Sequence, residues 1–194
     1  MRDYVKLSGV LLIICAIAAV FLGFTNEITY KKIAEQAEKA NNEARQLVLP
    51  TADEFTKLDE AELAAIQANT DYSIVRNIYE AKTGGSLIGY TVMVAPKGYG
   101  GAIEMVVGID LNGTVQGVKV GTNNETPGLG KNAEKPAFSE QYKNKTWDSL
   151  ISVIKNGTPK ENEIVAIAGS TITSKGVTEG VNKAMAVVKE LSGK

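Results

Sequence analysis

Residues 166–177, A-I-A-G-S-T-I-T-S-K-G-V, hold the densest set of side chains in this chain that could do chemistry. Gly169 and the hydroxyls of Ser170, Thr171, Thr173 and Ser174 lie between an apolar run, residues 164–168, and a helical pattern. The pattern places apolar residues at Val177, Val181, Ala184, Val188 and Leu191. A strand that ends in small residues at a helix start gathers unpaired backbone N–H groups at the positive end of the helix dipole. That arrangement suits a phosphate. The same serines and threonines also suit an ordinary N-terminal capping cluster, and local chemistry leaves both readings open.

Composition narrows the chemistry by what it lacks. The chain has no histidine, and its one cysteine, Cys15, lies in an apolar run. Haem attachment, iron–sulfur ligation, thiolate or imidazole zinc sites and Ser-His-Asp or Cys-His nucleophile systems are therefore excluded within it. No metal ligand set and no catalytic residue is expected. A net charge of -1 without a block of Lys or Arg argues against a nucleic-acid surface. Electron transfer by this chain would require an organic cofactor.

The elements that must position the hydroxyl cluster read as follows. Residues 7–24 form an uncharged, largely apolar run of 18 residues, near the lower length for a spanning helix, with Tyr4 and Tyr30 as possible interfacial anchors. The run is longer than a signal-peptide core and no small-x-small site follows it, so a retained anchor is expected. It carries no Asp, Glu, Lys or Arg and so offers no ion path. Arg2 and Lys6 precede it while Lys31, Lys32 and Lys39 follow, so charge does not decide its orientation. Helical spacing continues to Val48 and stops before Pro50, giving either a stalk or a solvated linker helix. Asp59 and Glu62 resemble a capping box for a short helix at residues 63–66.

From Tyr72 the period changes towards strands at 73–81, 87–95, 102–110 and 114–120. Turns are expected at residues 83–86 and, as a two-residue hairpin, at Asn112-Gly113. Pro136 opens a short helix, Trp147 is expected as a buried anchor of the sheet, and residues 156–159 form a turn. Gly176 and Gly180 leave one face of the last helix bare, where backbone or cofactor can come close. Two loops interrupt the sheet: Gly98-Tyr99-Gly100-Gly101, and Asn123 to Gly130 with the unit E-T-P-G-L-G.

Ala168-Gly169-Ser170-Thr171-Ile172-Thr173-Ser174 resembles the S-G-A-T-x-[ST]-S motif of the FMN-binding domain found in the G subunit of Rnf electron-transport complexes. The same domain occurs in the C subunit of sodium-translocating NADH:quinone oxidoreductases. The G-Y-G-G and E-T-P-G-L-G loops match further signatures of that family, in its order, and the short chain is more similar to the Rnf protein. Ala168, Ser170 and Val165 depart from the usual serine, alanine and aspartate, and Asn123 stands where a histidine is frequent.

The resemblance implies an α+β chain. Its parts are a single transmembrane helix at 1–26, a helical stalk at 27–50, and an FMN-binding domain of antiparallel sheet with flanking helices at 51–194. It implies FMN held covalently by a phosphoester on Thr171, with cofactor contacts from Gly169, Ser170, Thr173, Ser174, Glu125, Thr126, Gly128, Leu129, Tyr99 and Gly100. Glu125 beside the ring would disfavour an anionic reduced flavin, and Thr126 would hydrogen-bond a ring heteroatom. The implied role is electron relay in an ion-translocating ferredoxin:NAD oxidoreductase, with no complete active site on this chain. Implied partners are membrane, flavin or iron–sulfur subunits and a flavin transferase. The implied place is the bacterial cell membrane, single-pass, with the flavin domain on the extracytoplasmic side. A stand-alone flavoprotein for extracellular electron transfer, or a scaffold that has lost flavin, are the alternatives.

Overall fold

The computed structural model describes residues 2–193, and the chain divides into two compact units, Met1–Asn42 and Glu43–Lys194. In the first, helix α1 (Arg2–Val48) carries the apolar run with its side chains uncovered, Leu12 and Phe21 being about 70% exposed. By length and composition it is long and apolar enough to cross a membrane. The hydroxyls of Thr25 and Thr29 donate back to the carbonyls of Phe21 and Thr25, so these polar groups are satisfied within the helix.

The second unit begins inside the stretch expected as stalk, because the last turn of α1 is buried in it. Its main sheet has five antiparallel strands in sequential order: β1 (Glu54–Lys57), β2 (Val75–Thr83), β3 (Ser86–Val94), β4 (Met105–Asp110) and β5 (Val115–Val120). Helix α2 (Glu60–Ala68) lies between β1 and β2, and α3 (Pro136–Ser139) follows β5. A separate pair, β6 (Ser152–Ile154) and β7 (Glu163–Val165), is parallel rather than antiparallel and leads to α4 (Thr171–Leu191).

Helix α4 covers one face of the sheet. Val177, Val181, Ala184 and Val188 are fully buried with Ile78, Val92, Val94, Val107 and Ile109 in the main core. Gly176 makes this packing possible: a Cβ there would lie 2.5 Å from the Lys97 carbonyl oxygen. The bare face expected from the sequence therefore admits backbone. The opposite face is covered by residues 45–52. Val48 sits on Gly108 and Gly117, Leu49 and Ala52 pack on Ala81, and the Arg45 guanidinium lies 3.8 Å from the centre of the Tyr79 ring.

Several local expectations change. Asp59 is the N-cap of α2 but its side chain makes no capping bond. The β4–β5 connection is wider than a two-residue turn: the Asp110 N–H donates to the Thr114 carbonyl and encloses residues 111–113. The Asp110 carboxylate accepts the N–H groups of Asn112 and Thr114, and Gly113 adopts φ +80° beneath the half-buried Trp147. The strand expected at 102–110 starts at Met105, since Ala102 and Ile103 pair irregularly with Lys97 and Pro96.

Candidate functional site

Three segments meet at the start of α4. Val165 ends β7, and the five residues that follow turn through Gly169 at φ +73° to place Thr171 at the first position of the helix. The loops at 98–101 and 123–130 close around that turn. Between them is a cavity of about 520 Å³, lined by Tyr99, Glu125, Thr126, Leu129, Gly130, and by Gly169 through Thr173.

The Glu125 carboxylate joins the three segments. It is 4% exposed; one oxygen accepts the Gly100 N–H at 2.8 Å and the other accepts the Thr173 hydroxyl at 2.6 Å. Its own N–H donates to the Asn123 side chain, whose amide in turn donates to the Gly121 carbonyl and to Glu134. Asn123 is therefore a clamp of the loop. Ser174, fully buried, accepts the Ile167 N–H and donates to the Ser170 carbonyl, fixing the turn from inside. One turn further along, Thr178 shares a hydrogen bond with the buried Tyr142 hydroxyl, and burial raises that phenol above its ordinary pKa.

The hydroxyls of the cluster thus fall into two pairs. Those of Thr173 and Ser174 are spent on protein. Ser170, though at the N-cap, makes no capping bond, and Thr171 is partly exposed on the cavity. Among the described residues no protein acceptor takes the N–H groups of Thr171, Ile172 and Thr173. Among the described residues that line the cavity there is no Lys or Arg, so an anion there would be held by backbone N–H groups and the helix dipole. The rim is apolar and open: Tyr99 is 73% exposed, Ile172 57% and Leu129 44%.

Of the residues expected to contact a cofactor, Tyr99, Glu125, Thr126, Leu129, Gly169, Ser170, Thr171 and Thr173 line the cavity. Three do not. Gly100 spends its N–H on Glu125, Ser174 is enclosed behind the turn, and Gly128 is an exposed turn residue at φ +78°. Ile172 lines the cavity although it was not expected to, and Gly130 of the E-T-P-G-L-G loop lines it as well. Both lie inside the two motifs, which was the available signal.

FMN joins a phosphate to a large flat ring, and the cavity offers a place for each. The open first turn of α4 suits the phosphate. The apolar rim and a volume within the roughly 300–1,000 Å³ of small-molecule sites suit the ring.

Comparison with known proteins agrees. Residues 98–186 match the FMN-binding domain family. Over 96% of its length the chain is 38% identical to the G subunit of the Na(+)-translocating ferredoxin:NAD(+) oxidoreductase complex of Acetobacterium woodii, covering 92% of that protein. Over 94% it is 35% identical to the proton-translocating counterpart of Clostridium ljungdahlii, covering 90%. The crystal structure of the C subunit of Na(+)-translocating NADH-quinone reductase from Parabacteroides distasonis superposes with a TM-score of 0.58 over 82% of this chain and 84% of that one. At 24% identity it shows a shared fold. The chain belongs to the family of G subunits of ion-translocating ferredoxin:NAD oxidoreductase complexes, and its second unit carries that family's FMN-binding domain.

Proposed function

We propose that this chain is the flavoprotein subunit of an Rnf-type complex, relaying electrons through FMN esterified to Thr171. The observation that carries the reading is the uncapped first turn of α4, with Thr171 at its first position on the wall of a cavity bounded by Leu129, Ile172 and Tyr99. Bound FMN supplies reversible one- and two-electron chemistry, which the chain's own side chains lack. The protein's part is to hold and orient it. The first-turn N–H groups receive the phosphate, Gly169 and Ser170 shape the turn, and Tyr99, Leu129 and Ile172 shield the ring. Thr126 lies on the cavity wall, and its hydroxyl would hydrogen-bond a ring heteroatom.

The uncovered residues 7–24 anchor the chain in the cell membrane in a single pass, with the flavin domain on the extracytoplasmic side. Other membrane, flavin or iron–sulfur subunits take and give the electrons, and a flavin transferase installs the cofactor. Intact mass and peptide mapping of the chain purified from its complex test the reading. A mass increment of one FMN on the peptide containing Thr171 is expected; an unmodified chain would overturn it. Protease added to intact cells lacking an outer membrane should degrade residues 43–194, and protection until lysis would reverse the orientation.

A further inference from the structure

Four hydroxyls stand within five residues at the start of α4, three of them on the cavity, yet an ester needs one acceptor. Thr173 and Thr171 both line the cavity, two positions apart on the first turn of α4. What separates them is a carboxylate 48 residues away in sequence. Glu125 takes the Thr173 hydroxyl at 2.6 Å and at the same time holds the Gly100 N–H of the facing loop. Thr173 is 1% exposed and Glu125 4%, so water does not compete for this bond. Ser174 is occupied independently through Ser170 and Ile167, and Ser170 is buried at the N-cap, 7% exposed, while Thr171 is partly exposed.

We propose that Glu125 is a positioning and acceptor-selecting residue: by occupying the Thr173 hydroxyl and fastening the first turn of α4 to the 98–101 loop, it leaves Thr171 as the residue presented for flavin attachment. The proposal rests on the reading of Thr171 as the FMN-bearing residue. It assigns Glu125 a role apart from contact with the ring, one carried by the protein donors that its two oxygens accept. The attachment it governs joins Thr171 Oγ1 to the FMN phosphorus of FAD. The anhydride P–O bond breaks, AMP leaves with the bonding pair, and the hydroxyl proton passes to a base of the transferase.

The test uses the full chain with a flavin transferase and FAD, comparing wild type, Glu125→Ala, Glu125→Gln, Thr173→Val and the double variant Glu125→Ala/Thr173→Val. Three quantities are read: labelling rate by intact mass, site by peptide mapping, and amide exchange of residues 171–174 in the unlabelled chain. Glu125→Ala should slow labelling of Thr171 about tenfold, the size expected when a charge-assisted hydrogen bond is lost. It should speed exchange of those amides and put part of the flavin on Thr173. Thr173→Val should speed exchange and slow labelling to a similar degree, and the double variant should be no worse than either single one. Glu125→Gln should recover most of the rate, because its amide can accept from Gly100 and donate to Thr173. Wild-type labelling and exchange in Thr173→Val, or additive losses in the double variant, would overturn the proposal. So would a Glu125→Gln variant as impaired as Glu125→Ala. Wild-type flavin absent, or on a residue other than Thr171, would instead bring down the functional reading and this proposal with it.

Discussion

Helices α2 and α4 begin alike and are finished differently. Each has a favoured N-cap residue, Asp59 and Ser170, and in neither does that side chain make a capping bond. The start of α2 is open to water, and Glu60 and Glu62 in its first turn answer the dipole. The first turn of α4 has no acidic residue, and its N–H groups face a cavity walled by Leu129, Ile172 and Tyr99. In α2 the unpaired groups are handed to solvent and carboxylates. In α4 no carboxylate answers them, they are the groups proposed to take the phosphate, and the nearby Glu125 is turned onto a side-chain hydroxyl. An open helix start becomes a site through what its surroundings withhold as much as through its own residues.

The largest effect should come from removing the acceptor itself. Thr171→Ala is expected to abolish flavin that survives denaturation, read as loss of in-gel fluorescence, and Thr171→Ser should keep part of it because a hydroxyl remains. No substitution at the first position of α2, such as Glu60→Ala, should change that signal. Flavin persisting in Thr171→Ala would remove the distinction between the two helix starts.

Next in size is a change that makes α4 resemble α2. Ile172 is exposed at the second position of α4, so Ile172→Glu places an acid in its first turn at little cost to the fold, with a dipole gain of about 0.3–1 kcal/mol. Against a phosphate about 5 Å away, at an effective dielectric of ~20, the same charge is repulsive by roughly 3 kcal/mol. Affinity of the unlabelled chain for FMN, followed by quenching of flavin fluorescence, should fall by about a hundredfold. An unchanged melting temperature with that loss would sharpen the comparison. Equal binding would show that the phosphate lies elsewhere.

A smaller and purely mechanical effect is expected at Gly176. Any side chain there meets the Lys97 carbonyl, and Lys97 leads directly into the loop that carries Tyr99 and Gly100. Gly176→Val should cost about 1–3 kcal/mol by overpacking, seen as a fall in Tm of roughly 2–4 °C per kcal/mol. It should also loosen the cavity, since it pushes α4 from one of the segments that Glu125 ties to it. In α2 no glycine sets the helix against a backbone, so Ala65→Gly there should lower stability by propensity alone, about 1 kcal/mol.

These differences were unevenly legible in the sequence. Alternation of Val, Ile and Met over β3 and β4, and the 3.6-residue spacing of Val177, Val181, Ala184 and Val188, revealed the elements because half of each faces one core. β1 passed unread because E-F-T-K is a four-residue edge strand that half-buries one side chain, Phe55. β6 is three residues long, and its parallel pairing with β7 depends on the route of the loop between them, which periodicity does not encode. The motif residues reached the cavity, but the use made of each hydroxyl did not show. Thr173 and Thr171 are alike as residues, and Glu125 distinguishes them from 48 positions away. Arg45, Val48 and Leu49 read as the end of a stalk, yet burial against Tyr79, Gly108 and Ala81 makes them part of the folded unit.

The smallest effect separates the two cap residues themselves. A Ser or Asp that caps its helix typically costs about 0.5–2 kcal/mol when replaced by Ala. Neither Asp59 nor Ser170 makes the bond that this figure measures. Ser170→Ala should therefore change stability by less than about 0.5 kcal/mol, well below the capping range. Asp59→Ala should cost slightly more, about 0.3–1 kcal/mol at low salt, because its charge still faces the dipole of α2. Salt should erase that difference, since Asp59 is exposed and Ser170 is buried and uncharged. Ser170→Ala also tests the acceptor, as it removes the hydroxyl beside Thr171. With the ester on Thr171, flavin content in this variant stays at the wild-type level while Asp59→Ala, at a residue outside the cavity lining, is equally silent. Chemical denaturation at two salt concentrations and intact mass on the same samples read both effects. A capping-sized loss in Ser170→Ala would mean that its hydroxyl closes the first turn of α4 after all, and the two helix starts would then differ only in their surroundings.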